Sequence, residues 1–166
     1  MYKNIDDFIK DVVDTIVEAV RIGGDSNAYI VLKDGDIAPR VANIHNYDKI
    51  EFNGEGEIIY SIKCMSALDL GYEKEEDFID ADAESHYVDD IKDTLERLFL
   101  YYNTNELYDM LTIQESALVW EKDDSTIRRV LQGPKFVEGK DFRKSEKPWL
   151  IKKESMERVY GEPNFQ

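Results

Sequence analysis

The stretch Leu111-Thr112-Ile113-Gln114-Glu115-Ser116-Ala117-Leu118-Val119-Trp120-Glu121-Lys122-Asp123-Asp124-Ser125-Thr126-Ile127-Arg128-Arg129-Val130-Leu131 decides how the C-terminal third folds. Thr112 to Glu115 has the form of a capping box. In that motif the Thr hydroxyl accepts from the backbone N–H of the Glu, and the Glu carboxylate accepts from that of the Thr. A helix is expected to start there, with Ile113, Ala117 and Trp120 on its buried side. Glu121-Lys122-Asp123-Asp124 makes a short polar turn, and one of its aspartates caps a second helix, Ser125 to Leu131, ended by Gly133-Pro134. Ile127, Val130 and Leu131 face inward, which leaves Ser125, Thr126, Arg128 and Arg129 facing out near the helix start. Two helices joined by a four-residue turn, the second offering hydroxyls and arginines near its N-terminus, have the geometry that sets a recognition helix in the major groove of DNA.

Further along, Phe142-Arg143-Lys144-Ser145 and Trp149-Leu150-Ile151 flank a turn at Glu146-Lys147-Pro148 and read as a basic hairpin. Lys140, Arg143, Lys144 and Lys147 can reach phosphates from it, while Trp149 and Ile151 anchor it to the helices. Lys153 to Tyr160 forms a last helix on Met156, Val159 and Tyr160, closed by Gly161.

From Leu111 to Gly161 the chain resembles the excisionase/MerR-like winged helix-turn-helix DNA-binding family. The resemblance rests on Leu111-Thr112-x-x-Glu115-x-Ala117, Asp124-Ser125-Thr126-Ile127-Arg128, Gly139, Arg143-Lys144, and Trp149-Leu150-Ile151 followed by Met156-Glu157-Arg158-x-Tyr160-Gly161. It covers about 50 of 166 residues. Departures are Ser116 where relatives favour Ala, Pro134 after the second helix, and Glu146-Lys147-Pro148 in place of a Gly-containing turn. The resemblance implies a wing formed by the hairpin and double-stranded DNA as partner.

The net charge of −15 conceals a division. Residues 1–110 hold 26 Asp/Glu against 10 Lys/Arg, net −16, whereas residues 111–166 hold 10 against 11, net +1. Ser125 to Lys153 alone carries nine basic residues against three acids. Such asymmetry points to two units with different partners. The expected architecture is α+β: an acidic α+β domain over residues 1–105 (helix, about four antiparallel strands, helix) and a small winged helix-turn-helix over 110–166.

In the first domain, Ile5, Phe8, Ile9, Val12, Val13, Ile16, Val17 and Val20 recur at helical spacing. Asn4 caps that helix and Gly23-Gly24 stops it. Ala28 to Leu32 and Ile37 to Val41 read as strands around Asp34-Gly35, and a second hairpin joins Lys49–Phe52 to Ile58–Ile62 across Asn53–Gly56. Glu73 to Asp90 has nine acids and one Lys and leads into the apolar stripe Val88, Ile91, Leu95, Leu98, Phe99, Tyr102. One long acidic-faced helix is expected there, with a break at Asn103-Thr104-Asn105.

The carboxylates Glu73, Glu75, Glu76, Asp77, Asp80, Asp82, Glu84, Asp89 and Asp90 form a candidate partner-binding face. It would either dimerise the chain or bind a protein. Set on a rigid helix, such an array can also imitate DNA phosphates and block a basic host effector, as an anti-CRISPR-type phage inhibitor would.

Asp80 to Glu84 imitates the start of an EF-hand loop, but Ser85 and Ile91 stand where Gly and Glu belong. With one cysteine and two histidines no metal site is expected. No catalytic motif occurs, so neither enzyme activity nor a cofactor is expected. No apolar run approaches the ~20 residues of a membrane span. The expectation is therefore a cytoplasmic, sequence-specific DNA-binding regulator of a bacterium, phage or mobile element.

Overall fold

The Asn4 side chain accepts a hydrogen bond from the Asp7 backbone N–H at 2.9 Å and so opens α1, Ile5–Ile22. The structure is a computed structural model that describes residues 2–22, 26–33, 36–43, 58–74, 76–78 and 86–165. The expected Gly23-Gly24 stop, the Asp34-Gly35 turn, the Lys49–Phe52 strand with its Asn53–Gly56 turn, and the Asp80–Glu84 run lie outside the described residues. The chain forms two compact units, Met1–Leu95 and Glu96–Gln166.

In the first unit, β1 (Ser26–Lys33) lies between β2 (Asp36–Asn43) and β3 (Ile58–Cys64), antiparallel to both. Its central place follows from its composition. Ala28 to Leu32 is an unbroken apolar run, and every residue of it is buried, as a strand covered on both faces requires. Opposite Ile30 stands Pro39, tolerated because β2 is an edge strand among the described residues of the sheet. The α1 stripe Phe8, Val12, Ile16, Val20 is buried, and α1 packs on β1 and β2.

The long acidic-faced helix expected from Glu73 is interrupted. Among the described residues the segment is helical at 76–78 and 86–87, Val88 is a turn residue, Asp89–Ile91 form a 3-10 turn, and helix α2 then runs over Lys92–Tyr102. Phe78 and Val88 are buried, and the Phe78 ring meets Tyr72, His86 and Tyr87 edge-on or tilted at 5.1–6.0 Å. The boundary between the units falls within α2, ahead of Asn103.

The second unit holds the helix pair. Its first strand, β4 (Met110–Thr112), pairs with β6 (Leu150–Lys152), which pairs in turn with β5 (Phe142–Arg143). Leu111 and Ile151 face each other, both fully buried. Helix α3, Ile113–Val119, starts at Thr112 with both capping-box bonds: Glu115 N–H to Thr112 Oγ1 at 3.1 Å and Thr112 N–H to Glu115 Oε2 at 2.6 Å. Helix α4 spans Asp124–Leu131. Asp123 occupies its N-cap position, but neither it nor Asp124 provides the expected side-chain cap; the Thr126 and Ile127 N–H groups bond to the Asp123 backbone carbonyl instead. The hairpin strand expected over Phe142–Ser145 is shorter, ending at Arg143. Helix α5, Lys153–Tyr160, ends at Gly161, whose φ of 80° suits a residue without Cβ.

Three polar anchors tie this unit together. The buried Arg97 guanidinium grips the Val119 carbonyl with Nε at 3.3 Å and Nη2 at 3.2 Å, donates to Glu121 at 3.0 Å and to the Asn164 carbonyl, and lies 5.2 Å from the Phe165 ring centre. Lys153 Nζ donates to the carbonyls of Leu100, Tyr101 and Asn103 at 3.2, 3.0 and 2.8 Å, closing the C-terminal end of α2. Burial pushes that ammonium below its ordinary pKa. Asp141, also buried, accepts from Val137 N–H, Ser155 Oγ and Arg158 at 2.8, 3.0 and 2.9 Å. Burial alone would raise its pKa; these donors outweigh that and hold the carboxyl below the ordinary range.

Arg97→Ala is expected to lower stability by about 3 kcal/mol in urea unfolding, because the Val119 carbonyl loses a charged donor; Arg97→Lys, lacking the fork, restores little of it. Since the folded pKa of Asp141 is depressed, its contribution is complete above the unfolded carboxylate value of about 3.9 and is lost as pH falls through the folded one. Asp141→Asn should therefore be less stable at pH 7 and lose stability less steeply on acidification, as read by thermal melts from pH 7 to 2.5.

Candidate nucleic-acid interface

Helix α4 is amphipathic, and the division decides what it presents. Ile127 and Leu131 are locked in the core, with Val130 half-buried. Ser125, Arg128 and Arg129 are exposed and, at spacings of three and four, share one face; Thr126 beside them is half-buried. Arg129 lies near enough to the Tyr160 hydroxyl to offset part of the rise that burial imposes on its pKa.

Lys140, Arg143, Lys144 and Lys147 are exposed on the loop and hairpin that follow. They are not equivalent. Lys144 Nζ is paired with Glu138 at 2.8 Å and sits 5.0 Å from the Trp149 ring centre and 5.7 Å from that of Phe142. Its charge is largely spent inside the hairpin. Trp149, expected as a core anchor, is only half-buried and stacks on Phe142 at 5.9 Å; the fully buried anchor is Ile151.

The fold brings Arg128 and Lys147 to the walls of one groove of about 340 Å³, together with Thr112, Gln114, Pro148 and Trp149. Sequence reasoning had grouped Arg128 and Lys147 but missed Gln114. An exposed amide on the first turn of a helix carries no signal of its own; only β4 pairing with β6 brings α3 and the hairpin turn to one concavity.

Of the expected acidic face, Glu73, Glu76, Asp77, Asp89 and Asp90 are exposed, whereas Glu75, Asp80, Asp82 and Glu84 lie outside the described residues. Among the described carboxylates, Glu76 and Asp77 lie in one helical stretch, while Asp89 and Asp90 lie in the 3-10 turn beyond the interruption at Val88. Among the described residues no group of three or more His, Cys, Asp or Glu is placed to hold a metal ion. No described helix is long and apolar enough to cross a membrane.

No curated protein and no solved structure matches the chain. Residues 104–164 match a family described as a helix-turn-helix domain, a span that takes in β4 through α5, and this C-terminal part of the chain is a helix-turn-helix domain.

Proposed function

We propose that the chain is a sequence-specific DNA-binding protein, of the excisionase/MerR-like winged kind, that regulates transcription in a bacterium, phage or mobile element. The observation that carries this reading is the face of α4. Ser125, Arg128 and Arg129 point outward together while Ile127 and Leu131 hold the helix rigidly from behind. A pre-ordered helix that presents arginines and hydroxyls suits base edges in a major groove: arginine pairs with guanine through two donors, and short hydroxyls pair with several bases.

The hairpin serves as the wing. Arg143 and Lys147 supply phosphate contact, Lys140 adds charge from the preceding loop, and Lys144 braces Trp149 and Phe142. The acidic N-terminal unit contributes no DNA contact, since its carboxylates are repelled by phosphate; its role is dimerisation or binding of a protein partner.

Electrophoretic mobility shifts with DNA from the chain's own promoter region, at ~0.15 M salt, test the reading. The wild type is expected to shift a discrete fragment. Arg128→Ala with Arg129→Ala should weaken binding by a factor of about 10 to 1,000, the loss of one or two base contacts. A wild-type chain that shifts no DNA yet binds a basic protein through its acidic unit would replace this reading with the inhibitor one.

A further inference from the structure

The groove beside α4 has features that phosphate contact does not require. Its volume of about 340 Å³ falls in the range of small-ligand sites rather than surface dimples. One wall is apolar: Ile113, Pro148 and Trp149 contribute it. The polar lining residues are few, namely Arg128, Lys147, Gln114 and Thr112, with a single carboxylate, Glu146.

The charge balance selects the ligand. Two cations against one carboxylate leave the groove with one net positive charge. Lys144 is not among the lining residues and is paired with Glu138 at 2.8 Å. A singly charged anion matches that balance, whereas a doubly charged phosphate is pressed against Glu146. The guanidinium of Arg128 fits the two oxygens of a carboxylate side by side, and an indole wall accepts a flat apolar body. We propose that this groove is a binding site for a small aromatic monocarboxylate, and that its occupation withdraws Arg128 and Lys147 from DNA. The ligand site stands on the groove alone; only the regulatory consequence rests on the DNA-binding reading above. Coupling of this kind is reciprocal, so DNA must also weaken the ligand.

Calorimetric titration of the full chain without DNA, using indole-3-carboxylate as probe and indole-3-carboxamide and inorganic phosphate as comparators, tests the site. The carboxylate is expected to bind with Kd on the order of 1 mM or tighter, as a fragment of that size can. The carboxamide and phosphate should bind at least about 10-fold more weakly. Lys147→Ala and Arg128→Ala, both at exposed positions, should each weaken the probe about 5-fold or more, with thermal melts checking that each variant stays folded. Equal affinity for the carboxamide, tighter binding of phosphate, indifference to both variants, or no binding at about 10 mM would each overturn the site. With DNA present, saturating probe should raise the Kd for DNA about 5-fold; unchanged DNA affinity would overturn the regulatory consequence. If the chain shifts no DNA at all, the DNA-binding reading fails while the titration still decides the site.

Discussion

A single buried guanidinium holds the helix-turn-helix in shape. The turn between α3 and α4 places Glu121 at a φ of 50°, a left-handed conformation that costs a residue with a Cβ about 1 kcal/mol and that helices usually assign to glycine. Arg97 offsets this. Its fork takes the Val119 carbonyl at the end of α3, its other arm holds the Glu121 carboxylate, and its face covers Phe165 of the C-terminal tail. The Trp120 indole N–H adds a bond to the Gly161 carbonyl at 2.8 Å, so the same turn is also fastened to the end of α5. The orientation of α4, and hence of every side chain it offers, depends on this junction.

The elements that could be read directly were those whose physics is local. Thr112 and Glu115 carry their capping bonds within one turn of helix, and the apolar stripes of α1, α4 and α5 repeat at a period that side-chain burial enforces. The apolar run Ala28–Leu32 read as a strand, and burial of every one of its residues is what the structure adds. What escaped was set by contacts distant in sequence. Met110–Thr112 is a three-residue strand too short to show alternation, and it exists because β6 lies beside it. Arg97 sits in a helical pattern where an arginine ordinarily reads as solvent-facing, and Glu121 gives no sign of its left-handed turn.

The same limit applies to the candidate site. The placement of Ser125, Thr126, Arg128 and Arg129 on one helix was legible because its apolar stripe is local, whereas the pairing within the basic run after them was not. Tertiary structure divides it: Lys153 is turned inward onto helix carbonyls, Lys144 is paired with Glu138, and Arg128, Arg129, Lys135, Lys140, Arg143, Lys147 and Lys152 remain exposed. Gln114 entered the groove without any local signal. The acidic half illustrates the opposite error, in which a dense run of carboxylates suggested one long helix, whereas Val88 is a turn residue and Asp89–Ile91 form a 3-10 turn ahead of α2.

Charge count and geometry therefore have separate consequences. A chain with a net charge of −15 is repelled by nucleic acid as a whole, so any attraction must come from the few cations that the C-terminal fold leaves unpaired. That makes the salt dependence of DNA affinity the most direct measurement. Fluorescence anisotropy of the full chain with labelled promoter DNA, taken between about 0.05 and 0.3 M salt, should give a log–log slope of about −3 to −5, the counterions released when Arg128, Arg129, Lys140, Arg143 and Lys147 meet the duplex. A slope near zero, or one unchanged when Arg128, Arg129 and Lys147 are all replaced by Ala, would contradict the account.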